Sequence, residues 1–169
     1  MPYYRNPQGQ VVYFSSIAFI HELPEGSQVL TDEEASAELP TPLNIAIQNK
    51  LAEVNDAWAA ACQGGFVSSA LGTPHRYPST QVDQQNLASS VLASLLPNIP
   101  STWTTMFKCT DQNGATSLVA HTAAQIQKVG QDGMLWVERC IYQLNVLETQ
   151  ISQAGTPEQV ASFNWSNPS

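Results

Sequence analysis

Charge is what this sequence has least of. Charged residues make up 12% of the 169 positions, about half the usual share, and six Lys and Arg stand against fourteen Asp and Glu for a net charge of −8. The six cations, Arg5, Lys50, Arg76, Lys108, Lys128 and Arg139, are scattered along the chain. Nucleic-acid binding draws its affinity from clustered cations that displace counterions, so no nucleic-acid partner is expected. Six of the acids fall early, at Glu22, Glu25, Asp32, Glu33, Glu34 and Glu38, and read as a solvated segment. A hydrophobic share of 43% with so little charge leaves Gln, Asn, Ser and Thr to make the polar surface. Such a surface suits extended contact with other proteins.

Cysteine is also sparse. Cys62, Cys109 and Cys140 are an odd set without CxxC spacing, which argues against a disulfide framework and a zinc knuckle and for buried free thiols. No long apolar run occurs: Val11 to Ile20 is interrupted by Ser15 and Ser16 and is too short to span a bilayer. The opening MPYYRNPQGQ lacks a signal-peptide layout, so the expectation is a chain kept in a cytoplasm, with no membrane partner.

The chemical signatures are missing as well. There is no GxxxxGK[ST], GxGxxG or GxSxG. His21-Glu22 begins like a zincin helix, but Glu25 stands where the second His belongs. His21, His75 and His121 fall in or beside turns and caps and are expected at the surface or next to a cap. Asp111 is explained by its turn, and Asn164-Trp165-Ser166 is a chance glycosylation match. No catalytic residue, metal ligand or cofactor is expected, and the chain does not read as an enzyme.

What is present is punctuation. Tyr3-Tyr4 and Val11 to Phe14 flank Asn6-Pro7-Gln8-Gly9, a type I turn signal, so residues 2–14 read as a hairpin. Ile17 to Val29 continue it as an irregular or extended segment. Thr31-Asp32-Glu33-Glu34 is a capping box opening a short helix that Pro40 ends. Residues 40–42 mark the border between an N-terminal module, 1–40, and a larger domain, 41–169. Thr41-Pro42 starts a helix to about 62, with Ile47, Leu51, Val54, Trp58 and Ala61 on one stripe. Phe66 to Tyr77 read as a ribbon, and Thr80 with Asp83 caps a helix to about Leu96. Trp103 to Lys108 and Thr116 to Val119 flank Asp111-Gln112-Asn113-Gly114, where Asn-Gly favours positive φ. Thr122 with Gln125 caps the longest helix, to about Ser152. Its stripe runs Ala123, Ile126, Gly130, Gly133, Val137, Cys140, Leu144, Leu147, Ile151, Ala154. The two glycines mark either a kink or a close approach. Thr156-Pro157-Glu158-Gln159 caps a last turn.

Ribbon, Thr cap and helix thus occur twice, a degenerate ββα duplication. The expected fold class is α+β: a small N-terminal β-ribbon, then long helices packed as a hairpin beside an antiparallel sheet made from both ribbons. The helical seam pairs either within the chain or between copies as a homo-oligomer. Trp58, Trp103 and Trp136 are expected in the core. Tyr3, Tyr4, Tyr13 and Phe14 crowd a ribbon too small to bury them. They either pack on the chain's own helices or form a docking edge for a partner.

Three stretches carry a resemblance. MPYYRNPQGQVVYF with LPEGSQVLTDEEA, LNIAIQNKLAEVNDAWAAACQGGF followed by HRYPSTQVDQQNL, and WTTMFKCTDQNGATSLVAHTAAQIQKVG ending in QISQAGTPEQVASFNW resemble, in that order, bacteriophage tail fibre assembly proteins whose C-terminal half is a domain of unknown function. His75-Arg76-Tyr77-Pro78-Ser79 departs from the acidic turn usual in that family. The resemblance implies a chaperone that binds trimeric tail fibre chains in the host cytoplasm. Its alternative is a structural virion component, such as a fibre-tip cap, adhesin or adaptor, held on the fibre or baseplate. It carries over no catalytic or metal residue.

Overall fold

The computed structural model describes residues 3–13, 23–39 and 41–168. Phe14, His21, Glu22 and Pro40, on which sequence expectations fall, lie outside the described residues. The chain is α+β and divides into two compact units, Met1–Ile45 and Ala46–Ser169.

In the first unit, β1 (Tyr3–Arg5) pairs antiparallel with β2 (Val11–Tyr13) on one side and β3 (Gln28–Leu30) on the other. The hairpin turn forms where Asn6-Pro7-Gln8-Gly9 places it. The Asn6 carboxamide oxygen accepts from the amides of Gln8 and Gln10, and Gly9 takes φ +83°. The segment Ile17 to Val29 was expected to be irregular or extended; its described end is extended, and with Leu30 it makes a third strand, residues 28–30, whose pairing three residues of alternation are too few to announce. They pair because β1 offers a free edge and Leu30, opposite Tyr3, is buried. Helix α1 (Asp32–Glu38) starts at the expected capping box, with Thr31 accepting from the Glu34 amide and Glu34 reaching back to the Thr31 amide. Arg5 bonds both Glu38 and Gln28, and Ala35 of α1 is fully buried.

In the second unit a four-stranded antiparallel sheet runs in the order β4 (Phe66–Ser68), β5 (His75–Tyr77), β6 (Thr104–Thr110), β7 (Thr116–Thr122). The two ribbons join through Arg76 opposite Thr110. Each ribbon leads to a Thr-capped helix, α3 (Gln81–Ser94) from Thr80 and α4 (Ala123–Ser152) from Thr122. Strand β7 runs three residues further than expected and passes directly into α4, and β6 begins at Thr104 rather than Trp103. The hairpin loop also differs from the simple Asn-Gly reading. Thr110 pairs with Thr116, and the Asp111 carboxylate accepts from the amides of Asn113 and Ala115. With five residues in the loop, Gly114 alone needs positive φ, and Asn113 is not in that region.

One face of the sheet carries Phe66, Tyr77, Phe107 and Cys109 into a core completed by Leu87, Ile126 and Val129, with Trp103 and Trp136 packed partly buried against it. Helix α2 (Pro42–Gln63) runs antiparallel to α4 within this unit. Its Asn55 carboxamide donates to Glu148 at 3.3 Å, and Trp136 of α4 donates to the Ala61 carbonyl at 3.2 Å. Its stripe is shallower than that of α4: Val54 is buried, whereas Ile47, Leu51, Trp58 and Ala61 are half-buried. The α4 stripe holds well, with Ile126, Gly133, Cys140, Leu144, Leu147 and Ile151 buried. Helix α5 (Pro157–Ser162) follows its Thr156 cap and buries Val160.

The two α4 glycines mark close approach by side chains rather than a kink. A Cβ at Gly130 would stand 2.8 Å from Val91 of α3, and one at Gly133 would stand 2.8 Å from the Phe66 ring. Gly133→Ala would relieve a helix penalty of about 1 kcal/mol yet press on the buried Phe66 ring, and overpacking of that kind costs about 1–3 kcal/mol. A net loss of stability is expected in urea unfolding, and a more stable variant would show that the ring can yield. Leu144→Ala, in the middle of the buried stripe, should lose roughly 2–5 kcal/mol in the same assay. A loss below about 0.5 kcal/mol would mean that this stretch of the seam is not packed.

Candidate interaction surface

The polar groups that look most like chemistry are shut inside the second unit. His121 was expected at the surface or next to a cap, and it does adjoin the Thr122 cap, but not at the surface. It is instead fully buried, because β7 continues to Thr122 and the alternation of the strand turns residue 121 inward. Its Nδ1 lies 2.9 Å from the Val119 carbonyl, which only accepts, so Nδ1 carries the hydrogen. Burial lowers the pKa of His121 and keeps the ring neutral, so Nε2 accepts from the Tyr77 hydroxyl at 2.8 Å. Cys109 lies beside Tyr77, and burial pushes both groups towards their protonated forms. Phe66 stacks on Tyr77, and Phe107 meets the edge of His121. Each group in this set has a partner within it, and the aromatic rings close it in. His75 is half-buried, with Nδ1 on the Thr73 carbonyl.

A surface of a different kind opens between α3 and α4. A groove of about 680 Å³ runs along the two helices, walled by Leu87, Val91, Leu92 and Leu95 on one side and Met134 and Val137 on the other. Gln84, Gln127 and Gln131 stand at its margin, and Glu138 is the charged residue of its lining. Leu92 is 66% exposed and Leu95 63%. Gly130 and Gly133 lie in the floor, where the missing side chains bring Val91 and Phe66 against α4. Sequence reasoning passed over this groove. Its signal was a stretch without charge, residues 84–107, in which α3 carries leucines on more than one face.

The aromatic residues singled out in the first unit divide between two faces. Tyr3 and Tyr13 sit opposite each other, with ring centroids 5.7 Å apart and edge to face. Tyr13 is 53% exposed. Tyr4 points to the other face, in the row of Val12 and Val29. A single aromatic patch is therefore not formed by the three described tyrosines.

Among the described residues no group of three His, Cys, Asp or Glu is placed to hold a metal ion, and no helix is long and apolar enough to cross a membrane. Fold and surface together define an α+β domain, a duplicated ββα layer with an open apolar groove on its paired helices. The chain belongs to the family described as Domain of unknown function (DUF4376), whose model matches residues 46–164, nearly all of the second unit. No curated protein and no solved structure matches the chain.

His121 gives the fold a pH dependence of definite sign. Its pKa is depressed in the folded state, whereas in the unfolded chain it takes up a proton near pH 6.5. Stability is therefore full above about pH 6.5 and declines as pH falls towards the folded-state pKa. The melting temperature should drop between about pH 7.5 and 5.5, and His121→Gln should flatten that dependence. An equal slope in both proteins would assign the effect to other groups.

Proposed function

We propose that this protein works by binding other proteins rather than by turning over a substrate, and that its partner is a bacteriophage tail fibre chain whose assembly it assists in the host cytoplasm. The observation that carries the binding reading is the largely apolar groove between α3 and α4, with Leu92 and Leu95 open to solvent. An exposed apolar surface of this kind on a folded domain marks contact with another molecule. The enclosure of Tyr77, His121 and Cys109 supports the same reading, since each polar group there is occupied by another. The tail fibre partner rests on the resemblance of the three sequence stretches. Tyr3, Tyr4, Tyr13 and Phe14 remain the proposed second contact, since aromatic side chains dominate interface energetics.

The test is a pull-down of the trimeric fibre chain with four proteins: full-length, a truncation lacking residues 1–39, Leu92→Asp and Leu95→Asp. Both leucines are exposed, so the variants should keep the melting temperature of the parent. Each aspartate should weaken fibre binding by roughly tenfold or more, equivalent to about 1.4 kcal/mol. Loss of residues 1–39 should weaken it further while the remaining domain melts cooperatively. Full fibre binding by both groove variants would remove the groove from the interface. No capture of fibre by the full-length protein would remove the partner. Mass spectrometry of purified virions then separates a chaperone, which departs, from a fibre or baseplate component, which stays.

A further inference from the structure

Cys62 near the end of α2 and Cys140 in the middle of α4 face each other across the antiparallel helix pair. The bonds on either side align them: Trp136 donates to the carbonyl of Ala61, the neighbour of Cys62, and Asn55 meets Glu148 two turns further on. The two thiols lie close enough to shift each other's titration, and both are free and buried. We propose that they form a redox latch, in which oxidation joins the two sulfurs in a disulfide that ties α2 to α4.

The two positions are not equivalent, and the difference orders the reaction. Cys140 is 0% exposed and Cys62 8%, so a small oxidant from solvent reaches Cys62 first. Burial and Cys62 push Cys140 up to about 11, whereas Cys140 offsets part of the upward push of burial on Cys62, so Cys62 is the first to lose its proton. With hydrogen peroxide as oxidant, the Cys62 thiolate attacks one oxygen and the O–O bond breaks. Hydroxide leaves and is protonated to water, giving a sulfenic acid on Cys62. The Cys140 sulfur then attacks the Cys62 sulfur. The S–O bond breaks, the leaving hydroxyl takes the Cys140 proton as a second water, and the S–S bond forms. Two thiols lose two electrons, and the peroxide gains them. Burial keeps both thiols protonated near neutrality, so the latch closes slowly there and faster as pH rises.

Cys109 is the internal control, since it sits in the separate core formed with Tyr77. Trypsin cleaves after Lys50, Arg76, Lys108, Lys128 and Arg139, which sends the three cysteines to separate peptides, 51–76, 109–128 and 140–169. Full-length protein treated with hydrogen peroxide at mildly alkaline pH should lose two hydrogens in intact mass. Its unreduced digest should contain 51–76 joined to 140–169, and reductant should part them. The melting temperature should rise by several degrees and return on reduction. Cys62→Ser and Cys140→Ser should each abolish the link and Cys109→Ser should leave it. Cys62→Ala and Cys140→Ala serve if a buried serine unfolds the chain. The latch is overturned by a Cys62 that gains two oxygens while 140–169 stays unlinked, or by a link that involves Cys109 or a second chain. It is equally overturned by a folded protein that stays fully reduced under conditions that oxidise the urea-unfolded chain.

Discussion

The ring of Phe66, set against the bare backbone of Gly133, governs how the larger unit comes together. A Cβ at 133 would stand 2.8 Å from the ring, so the ring or the helix would have to shift to admit it. Once seated, Phe66 stacks on Tyr77 at 5.7 Å, and Tyr77 is hydrogen-bonded to His121 of β7 and lies beside Cys109 of β6. All four strands of the sheet and the long helix therefore meet around one aromatic column. Glycine within a helix costs about 1 kcal/mol, and burying a phenylalanine ring contributes about 1.5–3 kcal/mol, so the exchange favours the folded state.

The same contact accounts for the groove. Gly130 admits Val91 as Gly133 admits Phe66, and α3 is drawn close to α4 along its inner face. Helix α3 spans fourteen residues and α4 thirty, so the shorter helix covers only part of the longer one. Leu87 is buried by this arrangement, while Leu92 and Leu95 are left at the margin beside Met134. The duplication is thus unequal: one ββα copy is short, and the mismatch between the copies leaves apolar surface uncovered.

The smaller unit is built on a different balance. Its ion pair, Arg5 with Glu38, is about a third exposed on each side, and pairs of that kind contribute at most about 1 kcal/mol. The burial of Leu30 and Ala35 between sheet and helix does more to hold it. Its hairpin repeats the turn chemistry of the larger sheet. Asn6 and Asp111 each accept from the amides two and four residues on, with a left-handed glycine at Gly9 and Gly114.

The caps and turns were legible in the sequence because each is closed by bonds within a few residues. Thr31, Thr41, Thr80, Thr122 and Thr156 all cap the helices they announce, and the α4 stripe is buried as its spacing implies. By itself, then, the sequence determined where helices begin, where hairpins turn, which face of α4 is inward and that the class is α+β. It did not disclose the pairing of β3, which forms because an edge of β1 is there to receive it. Nor did it disclose the burial of His121, which depends on a partner forty-four residues away, or the groove, which exists only where two helices of unequal length are packed together. The facing of Cys62 and Cys140 belongs with these. Each was decided by tertiary structure for one physical reason: contacts between distant segments leave no periodicity or local hydrogen-bonding signature in either segment alone.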